Sequence, residues 1–476
     1  MIYNRKIKLR TSKDQELLLD GQSKMCNWLY NKLYELVETD YKNGNTKKLI
    51  NGRNLRNEVP KIKQNSPFLY KVHSSPLKNA ALRLKESYDR FFDPKLENQK
   101  PKFRSWKKKW FSLFYDEPTK GFKLLEENKL SISFGKLSDE EYVNLQQKDK
   151  TIKKQLSIIV TLLEPIVLTE YEKIKTLRIT KDIGGYYAIF TLESVKEQEK
   201  VQEESYIIFD PNHKNLAVGI DHKGISYELK SLSSTLKYWD KRIDHLKSKR
   251  DKCEKRSKLV VTPHTEYWKP SNRWNYLNQA LERAELSRRE QIKQALYSFA
   301  HYFSKKYDHI FIGDYVPTPD VATYGSMRRA MLNQTPIGQF RKIMEWVQEK
   351  NQKHYSKVDE FNTTKDCCVC GYQEKKDPDV RIFTCPSCHT TMYRDMNSVV
   401  NIGKKEGKLL PRLGYVGVEN PMYTVWWDWK EQTIVRGKFR QLASVNKSLG
   451  KNKENPSVVE EFPHILSNML VLNSFR

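Results

Sequence analysis

EFNTTKDCCVCGYQEKKDPDVRIFTCPSCHTTMYRDMNSVVN, residues 360–401, carries more information about the fold than any other part of this chain. It contains two Cys-x-x-Cys pairs separated by fourteen residues, Cys367 with Cys370 and Cys385 with Cys388. Two such turns joined by a short hairpin supply the four soft ligands, in tetrahedral arrangement, that Zn²⁺ prefers. We therefore predict a structural zinc ribbon over residues 362–392, against the alternative of four buried free thiols.

Two neighbouring side chains offer other possible zinc ligands. Cys368 and His389 lie next to the pairs and could substitute for one of the four cysteines, but neither repeats the paired spacing. A ribbon of this size is usually structural, so this zinc is predicted to brace the fold rather than to react.

The residues directly after the ribbon predict a helix. In the run that starts at Tyr393, Asp395 falls near the first turn, and Asn397 and Asn401 share a face because they are four residues apart. An Asp in this position is, by itself, more often a helix cap than a catalyst. Its role therefore depends on the other acids of the chain.

Length and composition favour a multidomain protein that binds a polyanion. The chain has 476 residues, enough for two to four domains, and 85 Lys and Arg against 58 Asp and Glu give a net charge of +27. The polyanion predicted by such an excess is nucleic acid. Five of the seven cysteines lie in the ribbon, which fits a reducing compartment. No apolar run reaches the length of a membrane span or signal peptide, so we expect an intracellular protein without a membrane partner.

The amino-terminal part separates into β-rich and helical regions. A charged strand at residues 1–10 is followed by helical periodicity from Lys13 to Tyr41. A polar segment at 43–66 then predicts a loop or a mobile hairpin, and it is followed by a helix capped by Ser75 with Pro76 as its first residue. Strand-like segments follow to about residue 198. We predict a β-rich domain from residues 1–12 and 94–200, and a helical domain from residues 13–93.

A basic and aromatic segment lies in the β-rich region. In PKFRSWKKKWFSLFY, residues 101–115, cations alternate with rings, a mixture that suits phosphates and unpaired bases. An ordinary strand with core aromatics and solvated lysines explains the segment equally well. The candidate nucleic-acid contacts are Arg104, Trp106, Lys107, Lys108, Lys109 and Trp110.

The second half of the chain predicts an α/β domain, residues 201–407. Three short strands starting at Tyr206 form a meander and are followed by two long basic helices, the strand HIFIGDYVP (309–317), a helix near 336–352, the strand YSKVDEF (355–361) and the ribbon. The remaining residues, 408–476, include an aromatic run at 425–429 and a possible amphipathic helix at 460–472. We expect this extension, of unknown role, to pack on the α/β domain, with partner docking as the alternative.

Five acids fall at the ends of elements in this half: Asp210, Asp314, Asp359, Glu360 and Asp395. Hydrolysis of a phosphodiester by two hard cations needs several carboxylates converging from separated elements. Each acid alone is more often a turn residue or a cap, so the function depends on which of them meet.

Several motifs, in the same order along the chain, resemble those of one family. FDPNHKNLAVGID (209–221), the CxxCG…CPxC ribbon and RDMNSVVNIG (394–403) are similar to TnpB and to its eukaryotic and viral relatives, the Fanzor proteins. The resemblance extends from the amino-terminal strand to about Gly407. It implies an RNA-guided DNA endonuclease with an RNase H-like (RuvC) nuclease domain, an inserted zinc ribbon, an amino-terminal β-barrel-like (wedge) domain and a helical recognition domain.

The same resemblance implies roles for individual residues. Asp210 matches the first acid of the nuclease and Asp395 the third. TnpB has Glu at the position of Gly313, whereas Fanzor proteins carry this Glu just before the ribbon, where Glu360 stands in this chain. We expect Glu360 to be the second acid, on the same strand face as Val358.

The remaining expectations also follow from the resemblance. Asp314 is the alternative second acid. The cofactors are two Mg²⁺ ions at the nuclease site, structural Zn²⁺ and a noncoding guide RNA of the omega type. The partners are that RNA and double-stranded target DNA beside a short motif, with one chain for each RNA. The location is nuclear in a eukaryotic or viral host and cytoplasmic otherwise. Because Gly313 replaces an acid, a cleavage-deficient RNA-guided DNA-binding protein is the alternative.

Overall fold

The chain is described by a computed structural model over residues 1–45, 51–96, 98–105, 111–148, 150–195, 205–263, 265–314, 336–376, 380–408 and 420–439. It divides into two compact units, the first built from Met1–Glu197 and the second lying within Gln198–Ile465. Across these described residues, no helix combines the length and the apolar character needed to cross a membrane.

The first unit is built on a seven-stranded sheet in which the first strand of the chain is central. The strands lie in the order β2-β6-β7-β1-β5-β4-β3 and form a half-barrel with antiparallel neighbours. Alternating burial in β1 places Ile7 and Leu9 in the core. The strands are β1 (Ile2–Arg10), β2 (Ser112–Tyr115), β3 (Phe122–Glu126), β4 (Lys129–Lys136), β5 (Gln155–Leu162), β6 (Glu172–Asp182) and β7 (Gly185–Ser194).

Four α-helices lie in the described part of the first unit, and two of them differ from the sequence expectation. They are α1 (Lys13–Lys42), α2 (Gly52–Asn65), α3 (Ser74–Phe92) and α4 (Asp139–Lys148). The loop or mobile hairpin predicted over 43–66 is wrong for residues 52–65, because Leu55, Val59 and Ile62 form a buried stripe at helical spacing within a polar composition. The predicted cap of α3 is also wrong. His73, rather than Ser75, is the N-cap, and its Nδ1 accepts a hydrogen bond from the Ser75 backbone N–H.

The second unit contains another seven-stranded sheet, in the order β14-β13-β8-β9-β10-β17-β18. β13 is parallel to both β8 and β14, whereas β9 is antiparallel to its neighbours. The bounds are β8 (Tyr206–Pro211), β9 (Ala217–Asp221), β10 (Ser226–Leu229), β13 (His309–Gly313), β14 (His354–Val358), β17 (Tyr423–Asp428) and β18 (Thr433–Lys438). The aromatic run of the carboxy-terminal extension is thus β17, which pairs in parallel with β10. The predicted helix at 460–472 lies outside the described residues.

Helices cover both faces of this second sheet. Ile207 and Phe209 of β8 face α6 (Asn272–Lys306) and α7 (Ile337–Lys350), and α5 (Ser233–Asp251) packs along α6. Ile208, on the opposite face, packs against α8 (Arg394–Lys405) and the cysteine ribbon. Because side chains alternate along a strand, Asp210 shares the α8 face with Ile208. Two separate hairpins, β11–β12 (Lys258–Thr262 and Thr265–Lys269) and β15–β16 (Ile382–Thr384 and Thr391–Tyr393), complete the described unit.

Candidate active site and metal centre

Four cysteine sulfurs converge beside β15 and β16. The Sγ atoms of Cys367, Cys370, Cys385 and Cys388 all lie within 4.8 Å of one another. Cys367 Sγ is 3.7 Å from Cys388 Sγ, and Cys370 Sγ is 3.6 Å from Cys385 Sγ. Four sulfurs at about 2.3 Å from one Zn²⁺ in a tetrahedron would be about 3.8 Å apart. The donor set and its spacing therefore fit a structural zinc ion.

The environment of these thiols differs from one to the next. Hydrogen bonding with Thr390 lowers the pKa of Cys388 to about 6, whereas burial raises the pKa of Cys367 to about 12. A bound divalent cation favours the thiolate form and so offsets the effect of burial on Cys367. The neighbouring Cys368 points elsewhere, since its Sγ lies 3.9 Å from Met392 Sδ in the core below the ribbon.

Two asparagines of α8 tie this helix to the start of the ribbon. The Nδ2 groups of Asn397 and Asn401 both donate to the backbone carbonyls of Thr363 and Asp366, over 2.8 to 3.2 Å. Asn397 Oδ1 also accepts a 2.7 Å hydrogen bond from the Cys368 backbone N–H. These contacts agree with a supporting role for both asparagines and fix the ribbon against the helix that carries Asp395.

Removing this pair of amides is expected to destabilise the second unit in a non-additive way. Asn401→Ala leaves Asn397 donating to both carbonyls, so we expect a loss of about 1 kcal/mol in unfolding free energy, as for one hydrogen bond. In Asn397→Ala/Asn401→Ala, both carbonyls lose their amide donors, and we expect a loss larger than the sum of the single losses. Urea unfolding of the three variants measures this. Strictly additive losses would contradict the shared role.

Asp210 is a buried acid of the candidate active site. It lies near the end of β8, opposite Val218 of β9, with its side chain on the α8 face. Burial raises the pKa of Asp210 well above its usual range, and the charges of Glu360 and Asp395 raise it further, while Arg394 opposes the rise. Asp210, Glu360 and Asp395, the three acids expected from the sequence, are therefore near enough to interact electrostatically.

The Glu360 carboxyl group fits into the site because Gly313 has no side chain. β14 ends at Val358, so Glu360 follows the strand instead of lying on it, and the expected shared face with Val358 does not describe its position. A Cβ placed on Gly313 would fall 1.6 Å from Glu360 Oε1 and 2.4 Å from its Cδ. The Glu360 carboxyl group thus occupies the space that a side chain on β13 would fill.

Asp395 lies in the first turn of α8 and does not cap it. The N-cap is Tyr393, and no side-chain hydrogen bond caps this helix. Asp395 Oδ2 is 2.6 Å from Arg381 Nη1 and accepts from Asn212 Nδ2 at 3.0 Å, and Oδ1 is 3.5 Å from Arg394 Nη2. The two arginines therefore offset the charge of a carboxylate that is almost completely buried.

Sequence reasoning missed these two arginines. Arg394 precedes Asp395 directly, and a cation beside a candidate acid is a signal that could have drawn attention to it. Arg381 has no such signal, because the β15–β16 hairpin brings it next to Arg394, whose backbone N–H donates to the Arg381 carbonyl at 2.7 Å.

The segment that carries Glu360 is held from two sides. Lys405 Nζ at the end of α8 donates to the carbonyls of Asp359 and Phe361, at 3.2 and 2.7 Å, and pairs with the Asp359 carboxylate at 3.0 Å. Asp314, the alternative second acid, accepts a 3.2 Å hydrogen bond from the Glu360 backbone N–H. Asp314 thus contacts the segment that positions Glu360.

The carboxylates of Asp210, Glu360 and Asp395 are the type of ligand that hard cations such as Mg²⁺ prefer. Mg²⁺ takes a few carboxylate oxygens together with water and phosphate oxygens. Within the part of the chain that the structure describes, the four cysteines are the group of metal-binding side chains whose ligand atoms all converge. Asp210, Glu360 and Asp395 interact at longer range, with Asp395 turned toward its arginines. The donor set therefore suits magnesium in kind, although its ligand atoms are more widely spaced than the four thiols.

The basic and aromatic segment of the first unit is described only in part. Arg104 packs against α1, where its guanidinium lies 3.7 Å from the Tyr30 ring and donates to Asn27 Oδ1 at 2.9 Å. The other predicted contacts, Trp106, Lys107, Lys108, Lys109 and Trp110, lie outside the described residues.

Comparisons with known proteins found a family model that matches one segment and a similar fold among solved structures. Residues 338–402 match the sequence model of the Cas12f1-like TNB domain. The fold is similar to that of Cas12f1 in a complex with sgRNA and target DNA, with a TM-score of 0.52, 15% identity, and coverage of 82% of this chain and 83% of that one. The mini-RNA-guided endonuclease CRISPR-Cas_phi3 aligns with a TM-score of 0.43, 10% identity, and coverage of 87% and 93%. None of the curated proteins compared with this chain matches it.

Proposed function

We propose that this chain is an RNA-guided DNA endonuclease of the Fanzor and TnpB type, whose second unit is a RuvC-like nuclease. The observation that supports the proposal is the electrostatic interaction of Asp210 with Glu360 and Asp395, three acids that come from β8, from the residues after β14 and from α8. Separate elements that deliver carboxylates to one buried place are what two-metal phosphodiester hydrolysis requires. The TNB-domain match over residues 338–402 and the Cas12f1-like fold support the same function.

In this proposal the three carboxylates hold two Mg²⁺ ions. Bound magnesium supplies an activated water and stabilises the leaving oxygen of the cleaved phosphodiester. Asp210 and Glu360 provide carboxylates inside a nonpolar sheet edge, and the arginines beside Asp395 offset negative charge next to a phosphate backbone. Lys405 keeps the backbone around Glu360 in place. The ribbon braces α8 and thereby the position of Asp395.

A noncoding guide RNA completes the proposed enzyme. Pairing between this RNA and one DNA strand reads the sequence, while the protein binds backbones, shape and a short adjacent motif. The net charge of +27 supports two polyanionic partners. We assign recognition of the RNA and of the short motif to the sheet and helices of the first unit, and cleavage to the second unit.

Asp210→Asn tests the function directly. We expect cleavage to fall by about a thousandfold or more, because a metal-binding carboxylate contributes several kcal/mol to stabilisation of the transition state. Binding of RNA and of target DNA is expected to remain close to that of the unchanged protein, since Asn keeps the size and polarity of the side chain. The assay uses the RNA that copurifies, once sequenced, and a duplex that contains the complement of its guide portion.

The same assay distinguishes the alternative functions. Guided DNA binding without cleavage by the unchanged protein would identify a cleavage-deficient RNA-guided binder. Guided cleavage that Asp210→Asn does not affect would disprove the proposed nuclease site. The matched control is Asp359→Asn, an exposed acid that pairs with Lys405, for which we expect little loss of cleavage.

A further inference from the structure

The hairpin β11–β12 exposes a large apolar surface. On one face, Leu259 lies opposite Trp268, and Val261 lies opposite Glu266. The exposed fractions are 48% for Leu259, 64% for Val261 and 67% for Trp268. Side chains this apolar gain little from contact with water, so an exposed cluster of them indicates a contact surface.

The segment that contains this hairpin is rich in cations. Residues 249–273 contain eight Lys or Arg and three Asp or Glu. Among them, Lys258 and Lys269 lie opposite each other at the open end of the hairpin, on its other face. Arg273 lies in the first turn of α6, with its guanidinium 5.4 Å from the ring of the exposed Tyr276. An exposed tryptophan among cations is the combination that stacks on a nucleobase while its neighbours bind phosphates.

The topology places the hairpin beyond the sheet edge at which the acids lie. The second half of α6, from Ile292 to Phe303, covers the sheet, and Gln294 contacts Gln432 in the turn between β17 and β18. Because β17 is parallel to β10, and β10 runs in the same direction as β8, this turn lies at the edge where Asp210 and Gly313 end their strands.

The first half of α6 therefore extends outward from that edge. Residues 272–293 pack along α5, as in the contacts of Trp239 with Gln291 and of Arg288 with Asp240. At about 1.5 Å per helical residue, this half reaches roughly 30 Å beyond the sheet. The hairpin joins the outer ends of α5 and α6, so its apolar face lies about three nanometres from the candidate catalytic acids.

We propose that the face formed by Leu259, Val261 and Trp268 binds unpaired bases of the DNA strand that is led to the acids, with Trp268 stacking on a base. The proposal rests on the proposed function for the identity of the strand. It commits to DNA because the hairpin lies beyond the same edge of the sheet at which the acids lie, at a distance that a strand of several nucleotides spans.

Trp268→Ala tests this surface in the full-length chain with its copurified RNA. The probe is a fluorescein-labelled single-stranded DNA oligonucleotide of mixed sequence, followed by anisotropy. We expect the affinity to fall by about fivefold or more, the lower end of the effect of removing one stacked base contact. Trp268→Phe, which keeps a ring, is expected to lose less. Met422→Ala removes another exposed apolar side chain, just before β17 and so at the opposite edge of the sheet from the acids, and should leave the affinity unchanged.

A second measurement locates the contact. DNA that carries 5-iodouracil is irradiated in the complex, and crosslinked peptides are identified by mass spectrometry. We expect a crosslink within residues 258–269 that Trp268→Ala abolishes. The proposal is overturned if Trp268→Ala keeps its DNA affinity within about twofold, if the hairpin peptide is not crosslinked, or if the loss is confined to an RNA probe of the same sequence. A changed oligomeric state with unchanged DNA affinity also overturns it and identifies a protein partner.

This test is independent of the test at Asp210. Failure of the proposed function appears as guided cleavage unaffected by Asp210→Asn, or as no cleavage at all. Failure of the hairpin proposal appears as unchanged DNA binding by Trp268→Ala while the Asp210 result stands. The hairpin lies well away from the acids, and its side chains are exposed, so thermal unfolding of Trp268→Ala should match that of the unchanged protein.

Discussion

Glu360→Ala is expected to reduce guided DNA cleavage by about a thousandfold, and Gly313→Glu in the same chain is expected to restore part of it. The reason is that one space can be filled from two backbone positions. The Glu360 carboxyl group lies where a side chain of residue 313 would begin, because a Cβ there would stand 1.6 Å from Glu360 Oε1. Removal of the Glu360 side chain leaves room for a carboxylate supplied by β13.

Gly313→Ala alone provides a sharper version of the same test. The added methyl group would collide with the Glu360 carboxyl group, so we expect this carboxylate to be displaced and cleavage to fall although every acid is retained. In Gly313→Ala/Glu360→Ala the collision is absent, and cleavage should equal that of Glu360→Ala. The measurement is the initial rate of guided cleavage at saturating DNA. It compares the unchanged protein with Glu360→Ala, Glu360→Ala/Gly313→Glu, Gly313→Ala and Gly313→Ala/Glu360→Ala.

Substitution of Asp314 tests whether this residue, and not Glu360, is the second acid. Its carboxylate accepts a hydrogen bond from the Glu360 backbone N–H, so we expect Asp314→Ala to weaken cleavage less than Glu360→Ala does. If Glu360→Ala cuts normally and Asp314→Ala does not, then Asp314 is the second acid. If Gly313→Glu restores nothing in the Glu360→Ala chain, the two positions do not share one role.

Cys385→Ser is expected to remove zinc and to unfold the ribbon. Cys385 is completely buried, and its Sγ belongs to the cluster of four within 4.8 Å. Structural zinc binding contributes on the order of 10 kcal/mol to the folding of small zinc domains, because the ligands do not converge in the unfolded chain. We expect about one Zn²⁺ per chain in the unchanged protein and almost none in Cys385→Ser, as measured by atomic emission.

Loss of the ribbon is expected to extend to the acids. Asn397 and Asn401 bind the ribbon to α8, and Arg381 reaches Asp395 through the β15–β16 hairpin. Hydrogen exchange should therefore rise over residues 362–392 and in α8, and guided cleavage should be lost. Cys368→Ser is the matched control, since this thiol contacts Met392 and should leave the zinc content unchanged. Zinc retained by Cys385→Ser, or lost by Cys368→Ser, would contradict this ligand set.

Local sequence patterns located the elements better than they located the element boundaries. A charged strand was expected at residues 1–10, and β1 lies at the centre of the first sheet. The prediction for the polar segment at 43–66 was wrong over residues 52–65, because its few apolar residues are separated by many polar ones. Leu55, Val59 and Ile62 nevertheless keep helical spacing. Residues 425–429 read only as an aromatic run, since pairing of β17 with a strand almost two hundred residues away leaves no local mark.

The sequence by itself determined which groups are available. Two Cys-x-x-Cys pairs specify four thiolates, and acids at the ends of strands and helices mark candidates for metal ligands, because both signals depend on short spacings along the chain. Only the tertiary structure decided which of these groups share a place. A glycine on β13 makes room for the carboxyl group of Glu360 after β14, and a hairpin brings Arg381 to Asp395. Such contacts join residues distant in sequence, so packing of the sheet and helices determines them and local spacing does not.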